Sequence, residues 1–195
     1  MHTHLPRDMS RTLIYSCVFF NESYAHLVYL LLKSYVLFGD VVGQADVRYL
    51  VVCNPSLQGR IQAMYDELQI DGEVWCLDLH TKFEAGCARL AIFDYPDIDH
   101  YDRILYLDCD ILVTHALTPL LSLALAEDKL YALKEGRTTH EFWGKDLFTG
   151  EGLPNPETDA FTSGILLFRQ SQAIRHLFTA VRAHIKAHLE DARPI

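Results

Sequence analysis

The run TLIYSCVFF, Thr12 to Phe20, is almost wholly apolar and stops at the polar triplet NES, the pattern of a buried strand followed by a helix cap. Beyond it Tyr24, Leu27, Val28, Leu31, Leu32 and Tyr35 recur at helical spacing and predict an amphipathic helix with that stripe inward. The alternation then repeats. VRYLVVC (Val47 to Cys53) reads as a strand, PSLQGRIQAMYDEL as a helix opening with proline, and EVWCLDL as a third strand. A helix from Thr81 to Phe93 follows, with Phe83, Cys87 and Leu90 as its buried stripe and Arg89 projecting away from them. Next come RILYLDCDILV (Arg103 to Val113), the strand KLYALK, and an irregular Gly-, Pro- and Thr-rich stretch from Gly136 to Ala160. The chain then returns as a buried strand, FTSGILLFR, before a last helix carrying Ala173, Leu177, Val181 and Ile185.

Strands alternating with helices predict an α/β fold with a mostly parallel central sheet flanked by helices on both faces, and a ligand site beyond the carboxyl ends of the strands. The stretch from Gly136 to Ala160 is the one long loop, the kind that serves as a lid or binding loop. At 195 residues a single domain, 1–195, is expected. No Gly-x-Gly-x-x-Gly follows a strand and no Gly-x-x-x-x-Gly-Lys occurs, which argues against a dinucleotide fold and a P-loop.

Charge narrows the partners. A net charge of -9 argues against a broad basic surface for nucleic acid or an anionic membrane, so an anionic substrate needs a local arginine or a metal ion. Cys17, Cys53, Cys76, Cys87 and Cys109 form no Cys-x-x-Cys pair, and four lie in apolar runs, which suggests reduced thiols and a cytoplasmic location. The N-terminus has no signal-peptide core and no run reaches 18 apolar residues, so neither secretion nor a transmembrane segment is expected.

Two Asp-x-Asp pairs occur where sixteen aspartates predict about one by chance. Asp97 and Asp99 follow a proline in a polar connection and read as a solvated loop. Asp108 and Asp110 differ, because RILYL precedes them and ILV follows, and unpaired carboxylates are costly in apolar surroundings. In extended backbone they point to one side, so both converge at a strand end. Two such anions raise each other's pKa unless a cation offsets them, and oxygen ligands favour Mg²⁺ or Mn²⁺. Two aspartates merely capping a turn remain an alternative. So does a Mg²⁺-dependent phosphohydrolase of the haloacid-dehalogenase type with Asp108 as nucleophile, although the pair lies mid-chain and lacks the following Gly-Thr turn.

Taken in order, GCARLAIFDY, YDRILYLDCDILV and FTSGILLFR resemble glycosyltransferase family 8, the glycogenin-like and bacterial lipopolysaccharide galactosyl- and glucosyltransferases with the GT-A fold, over Thr12 to Arg169. The resemblance implies a metal-dependent, retaining transfer of a hexose from a UDP-sugar to an unknown saccharide, lipid or protein acceptor. It implies Mn²⁺ (or Mg²⁺) at Asp108 and Asp110, with Asp108 also touching the donor diphosphate. Arg89, which by position is either solvated or facing a cleft, would reach the donor phosphate or sugar. Asn21 and Tyr24, otherwise a helix cap and a core aromatic, would cup the uracil and ribose. Asp159, Ser163 and Gly164 would lie near the donor sugar, and with Arg89 the first two are the candidate catalytic residues. Thr162 stands where the family carries asparagine, losing an amide that both donates and accepts. The family also continues beyond the equivalent of HLEDARPI with an Asp-Gln block and a late histidine and lysine, so the family's C-terminal part is expected to be lacking. A non-catalytic nucleotide-sugar-binding relative is therefore a second alternative.

Overall fold

The computed structural model describes residues 11–140 and 158–191. Strand β1 (Thr12–Val18) is buried at every position. Its side chains alternate between two cores, as a strand covered on both faces requires. Ile14 and Val18 pack with Val28, Leu31, Leu32 and Ile61, whereas Leu13, Tyr15 and Cys17 pack with Ile92, Phe93, Phe168 and Phe178. Helices α1 (Glu22–Phe38) and α2 (Gln58–Leu68) cover the first face. The tight helical segment Ala88–Asp94, which continues from α3 (Lys82–Cys87), covers the second together with α5 (Gln172–Asp191). The short α4 spans Thr118–Leu121.

The other strands are β2 (Val47–Cys53), β3 (Gly72–Cys76), β4 (Arg103–Leu107), β5 (Leu130–Arg137) and β6 (Asp159–Arg169). They form one sheet in the order β3-β2-β1-β4-β6-β5. As expected, β1 pairs in parallel with β2 and β4, and β2 with β3. The remaining arm differs: β6 runs antiparallel to both β4 and β5. An antiparallel return needs no crossover helix, and none intervenes between β5 and β6 among the described residues.

Several expectations shift. The α1 stripe starts at Ala25, and Tyr24 is half exposed. The helix at Thr81 changes pitch at Ala88, and the tighter winding buries Ala88, Ile92 and Phe93, with Leu90 packed partly buried beside them, while Phe83 is exposed and Cys87 only half-buried. In α5 the buried residues are Ile174 and Phe178, while Leu177 and Val181 are exposed. Arg175 fixes this rotation by donating to the Phe93 carbonyl at 3.0 Å and to Asp99 at 2.8 Å. Strand β6 is continuously buried only over Leu166–Phe168; in its first half Ala160 alone is buried, and Phe161 is exposed. The ends of the expected loop are strand, with Gly136 opposite Ala160 and Arg137 opposite Asp159. Residues 141–157 of that loop lie outside the described residues.

All five cysteines are unpaired. Among the described residues no helix is long and apolar enough to cross a membrane.

Candidate functional site

The sheet order reverses between β1 and β4, and in open α/β sheets a crevice forms at such a point beyond the strand ends. A cavity of about 420 Å³ lies there. The turn after β1 forms one wall with Phe19, Phe20, Asn21 and Tyr24; helix α3 with Lys82, Ala85 and Gly86, and the tight segment that continues it with Arg89, form another. Tyr106, Asp108, Cys109 and Asp110 close the end next to β4.

Strand β4 ends at Leu107, and the Ile111 N–H donates to the Asp108 carbonyl at 3.2 Å, closing a turn over 108–111. The same-side rule of extended backbone therefore does not govern Asp108 and Asp110; the turn brings both to the cavity instead. Asp108 is held on both oxygens: Tyr106 Oη donates to Oδ1 and Arg89 Nη1 to Oδ2 at 3.3 Å. Asp110 is exposed and has no hydrogen bond or ion pair among the described residues.

Arg89 is the hub. Its Nη1 also donates to the Ser163 carbonyl at 2.7 Å and to Ser163 Oγ at 3.1 Å, and its guanidinium lies 4.9 Å from the centre of the Tyr106 ring. Its own carbonyl accepts from Tyr15 Oη at 2.9 Å, which fixes the backbone beneath it. Burial alone would lower the arginine's pKa, but neighbouring groups, the Asp108 carboxylate among them, outweigh it and the net shift is upward. The guanidinium stays charged. Burial pushes the Tyr106 and Tyr15 phenols well up, so both remain hydrogen-bond donors at neutral pH.

Gly164 faces Asp108 across the β4–β6 pairing, its carbonyl accepting from the Asp108 N–H at 2.8 Å. A Cβ on Gly164 would stand 3.3 Å from both Asp108 Oδ2 and Thr162 Oγ1. Thr162 Oγ1 accepts from the Gly164 N–H at 3.1 Å, so the threonine hydroxyl serves its own strand.

The turn after β1 is tightly specified. Phe20 adopts a positive φ of 62°, unusual for a bulky residue, and its N–H donates to Asn54 Oδ1 at 2.8 Å. Asn21 caps α1, its Oδ1 accepting from the Ser23 N–H at 2.9 Å, and also lines the cavity. Phe20 and Tyr24 are 45% and 49% exposed, leaving two aromatic faces at the rim.

Asn21, Tyr24, Arg89, Asp108 and Asp110 thus meet in one cavity, and Ser163 and Gly164 touch it through Arg89 and Asp108. Asp159 is not brought there. Its carboxylate pairs with Lys134 at 2.6 Å, and it stands five residues from Gly164 along β6, about 16 Å at strand rise. Sequence reasoning missed Lys82, Tyr106, Tyr15 and Asn54. Only Lys82 carried a signal, since it lies seven residues before Arg89, two helical turns along one face.

The donor set suits a hard divalent ion. Asp108 and Asp110 offer carboxylate oxygens at the cavity, and among the described residues no third His, Cys, Asp or Glu completes a protein-only cage. An ion of the Mg²⁺ or Mn²⁺ kind commonly fills its remaining positions with water and substrate phosphate.

The fold is that of the GT-A glycosyltransferases. The solved structure of the galactosyltransferase LgtC, in complex with donor and acceptor sugar analogs, matches 94% of this chain and 66% of its own at 18% identity, with a TM-score of 0.67. The apo-form glycosyltransferase GlyE of Streptococcus pneumoniae TIGR4 matches 95% of this chain and 40% of its own at 21% identity, TM-score 0.59. Mouse xyloside xylosyltransferase 1, also in apo form, matches 87% of this chain and 71% of its own at 16% identity, TM-score 0.56. Residues 84–188, more than half of the chain, match the model of glycosyl transferase family 8, and the chain belongs to that family. It spans 40% of GlyE and 66% of LgtC. No curated protein sequence matches it.

Proposed function

We propose that this chain forms the donor-binding part, as one GT-A domain, of a metal-dependent, retaining glycosyltransferase that moves a hexose from a UDP-sugar. The observation that carries the reading is the cluster of Arg89, Asp108 and Asp110 at the switch-point cavity, facing an aromatic rim. The uracil lies against Phe20 and Tyr24. Asn21 turns its free amide Nδ2 toward the ribose, because Oδ1 is committed to the helix cap. Arg89, anchored by Ser163, holds the donor phosphate, and Lys82, at the start of α3 and lining the same cavity, adds a second cation.

Asp108 and Asp110 would hold Mn²⁺ or Mg²⁺, which supplies positive charge for the negative charge developing on the departing diphosphate. Tyr106 keeps the Asp108 carboxylate oriented, and Gly164 leaves room for it. Ser163, bonded to Arg89 beside the cavity, would touch the transferred sugar. Asp159, paired with Lys134, is given no part in the chemistry. The phosphohydrolase alternative loses support, since both oxygens of the would-be nucleophile Asp108 are engaged and the fold and family are those of glycosyltransferases.

Calorimetric titration with UDP tests the reading. Binding that requires Mn²⁺ and disappears in Asp108→Asn with Asp110→Asn supports it; no binding, or binding indifferent to the substitutions, overturns it. Slow release of free hexose from a UDP-hexose separates an enzyme from a purely nucleotide-binding relative.

A further inference from the structure

Asn54 lies outside the cavity yet bonds to the turns that lead into both of its principal walls. It follows β2 and occupies the capping position of the short helical turn Pro55–Leu57, but its side chain makes no capping bond there. The amide is 7% exposed and is spent elsewhere. Its Oδ1 accepts from the Phe20 N–H at 2.8 Å, and its Nδ2 donates to the Leu79 carbonyl at 3.2 Å. Phe20 immediately precedes Asn21, the cap of α1, and Leu79 lies two residues before Thr81, the cap of α3. One side-chain amide therefore joins the turn entering α1 to the turn entering α3.

Those turns set where the cavity walls stand. The first carries Phe20, Asn21 and Tyr24; the second leads into the face bearing Lys82, Gly86 and Arg89. Among the described residues no other side chain bonds to the backbone of both turns. The turn after β1 also holds a bulky residue at positive φ, a conformation that persists only where its surroundings enforce it. The Phe20 N–H bond to Asn54 is such an enforcing contact, and asparagine is suited to the post because its amide accepts at one end and donates at the other.

We propose that Asn54 is a positioning residue: it fixes the width of the cavity between the aromatic rim and the α3 face, and so sets donor affinity. The inference rests on the reading of this cavity as the UDP-sugar site. Alanine at 54 leaves the Phe20 N–H and the Leu79 carbonyl without their shared partner and lets the walls part. Aspartate keeps the acceptor for Phe20 and removes the donor to Leu79, so it cuts only one of the two ties.

The test is UDP affinity by calorimetry with Mn²⁺ present, for the unaltered chain, Asn54→Ala and Asn54→Asp, well below each melting temperature. Amide hydrogen exchange at Phe20 is read without nucleotide. Asn54→Ala is expected to speed exchange at Phe20 and to raise the UDP Kd by about tenfold, as remote misplacement of binding groups does. Asn54→Asp is expected to fall between it and the unaltered chain. In UDP-hexose hydrolysis the donor KM rises while kcat is kept. A UDP Kd unchanged in Asn54→Ala, with only the melting temperature lowered, makes the residue merely structural and overturns the inference alone. Absence of UDP binding by the unaltered chain overturns the reading of the cavity and this inference with it.

Discussion

Asp108 and Asp110 are one residue apart, yet their surroundings make them unequal. Asp108 is gripped by Tyr106 and Arg89, whereas Asp110 stands free of partners among the described residues. Asp110→Asn should therefore abolish the Mn²⁺-dependent gain in UDP affinity while changing stability by no more than about 0.5 kcal/mol, read by titration and urea unfolding. Asp108→Asn should abolish the same gain and also cost stability, because it leaves Arg89 without its carboxylate. Gly164→Ala probes the same carboxylate from behind. Its Cβ meets Asp108 Oδ2 and Thr162 Oγ1 at 3.3 Å, so the metal-dependent affinity should fall although both aspartates remain. The apolar flanks of RILYLDCDILV made the pair legible in the sequence. Asn54 was not legible, because its importance depends on which two turns meet in space.

Elements were legible in kind and less so in rotation. The stripe of α1 held from Val28 onward, but Tyr24 faces the cavity because the helix is entered through the Phe20 turn. The α3 stripe held only at Leu90: Phe83 is exposed, and the buried face is set from Ala88 onward, where regular winding gives way to a tighter pitch that residue spacing alone does not reveal. The antiparallel β6 looked like another buried parallel strand because its second half, Leu166–Phe168, is as apolar as one. At this scale Gly72 matters to β3: a Cβ there would come within 2.5 Å of the Tyr65 ring, whose hydroxyl donates to the Tyr49 and Glu73 carbonyls. Gly72→Ala should cost about 1–3 kcal/mol in urea unfolding. The start of α3 is pH-sensitive. Thr81 and Glu84 form a capping box, and the N–H groups of His80 and Thr81 hold the Glu84 carboxyl below its ordinary 4.5. A depressed folded value stabilises above the unfolded one, so this contribution is complete above about pH 4.5 and is lost as pH falls through the lower folded value. Glu84→Gln should flatten the dependence of melting temperature on pH in that acid range.

Across the whole molecule, the two-sided core around β1 shields Cys17 and Cys53. Burial pushes Cys17 well up and Cys53 to about 12, and burial with the neighbouring aspartates raises Cys109 to about 11. In native protein Cys17 and Cys53 should stay unreactive toward an aromatic disulfide reagent at pH 8 while the half-buried thiols react, and denaturant should release all five. The alternation of strand and helix carried the sheet's parallel half in the sequence, because each crossover leaves its own periodicity. It could not carry the strand order, since β1 borders both β2 and the distant β4. That adjacency has a kinetic meaning. Pairing β1 with β2 needs only the α1 excursion, but β4 docks where Asp102 accepts from the Arg11 N–H across 91 residues of chain. Long-range closures of this kind slow folding. The cavity lies across that seam, so during refolding the helices should return first and the capacity to hold a nucleotide last.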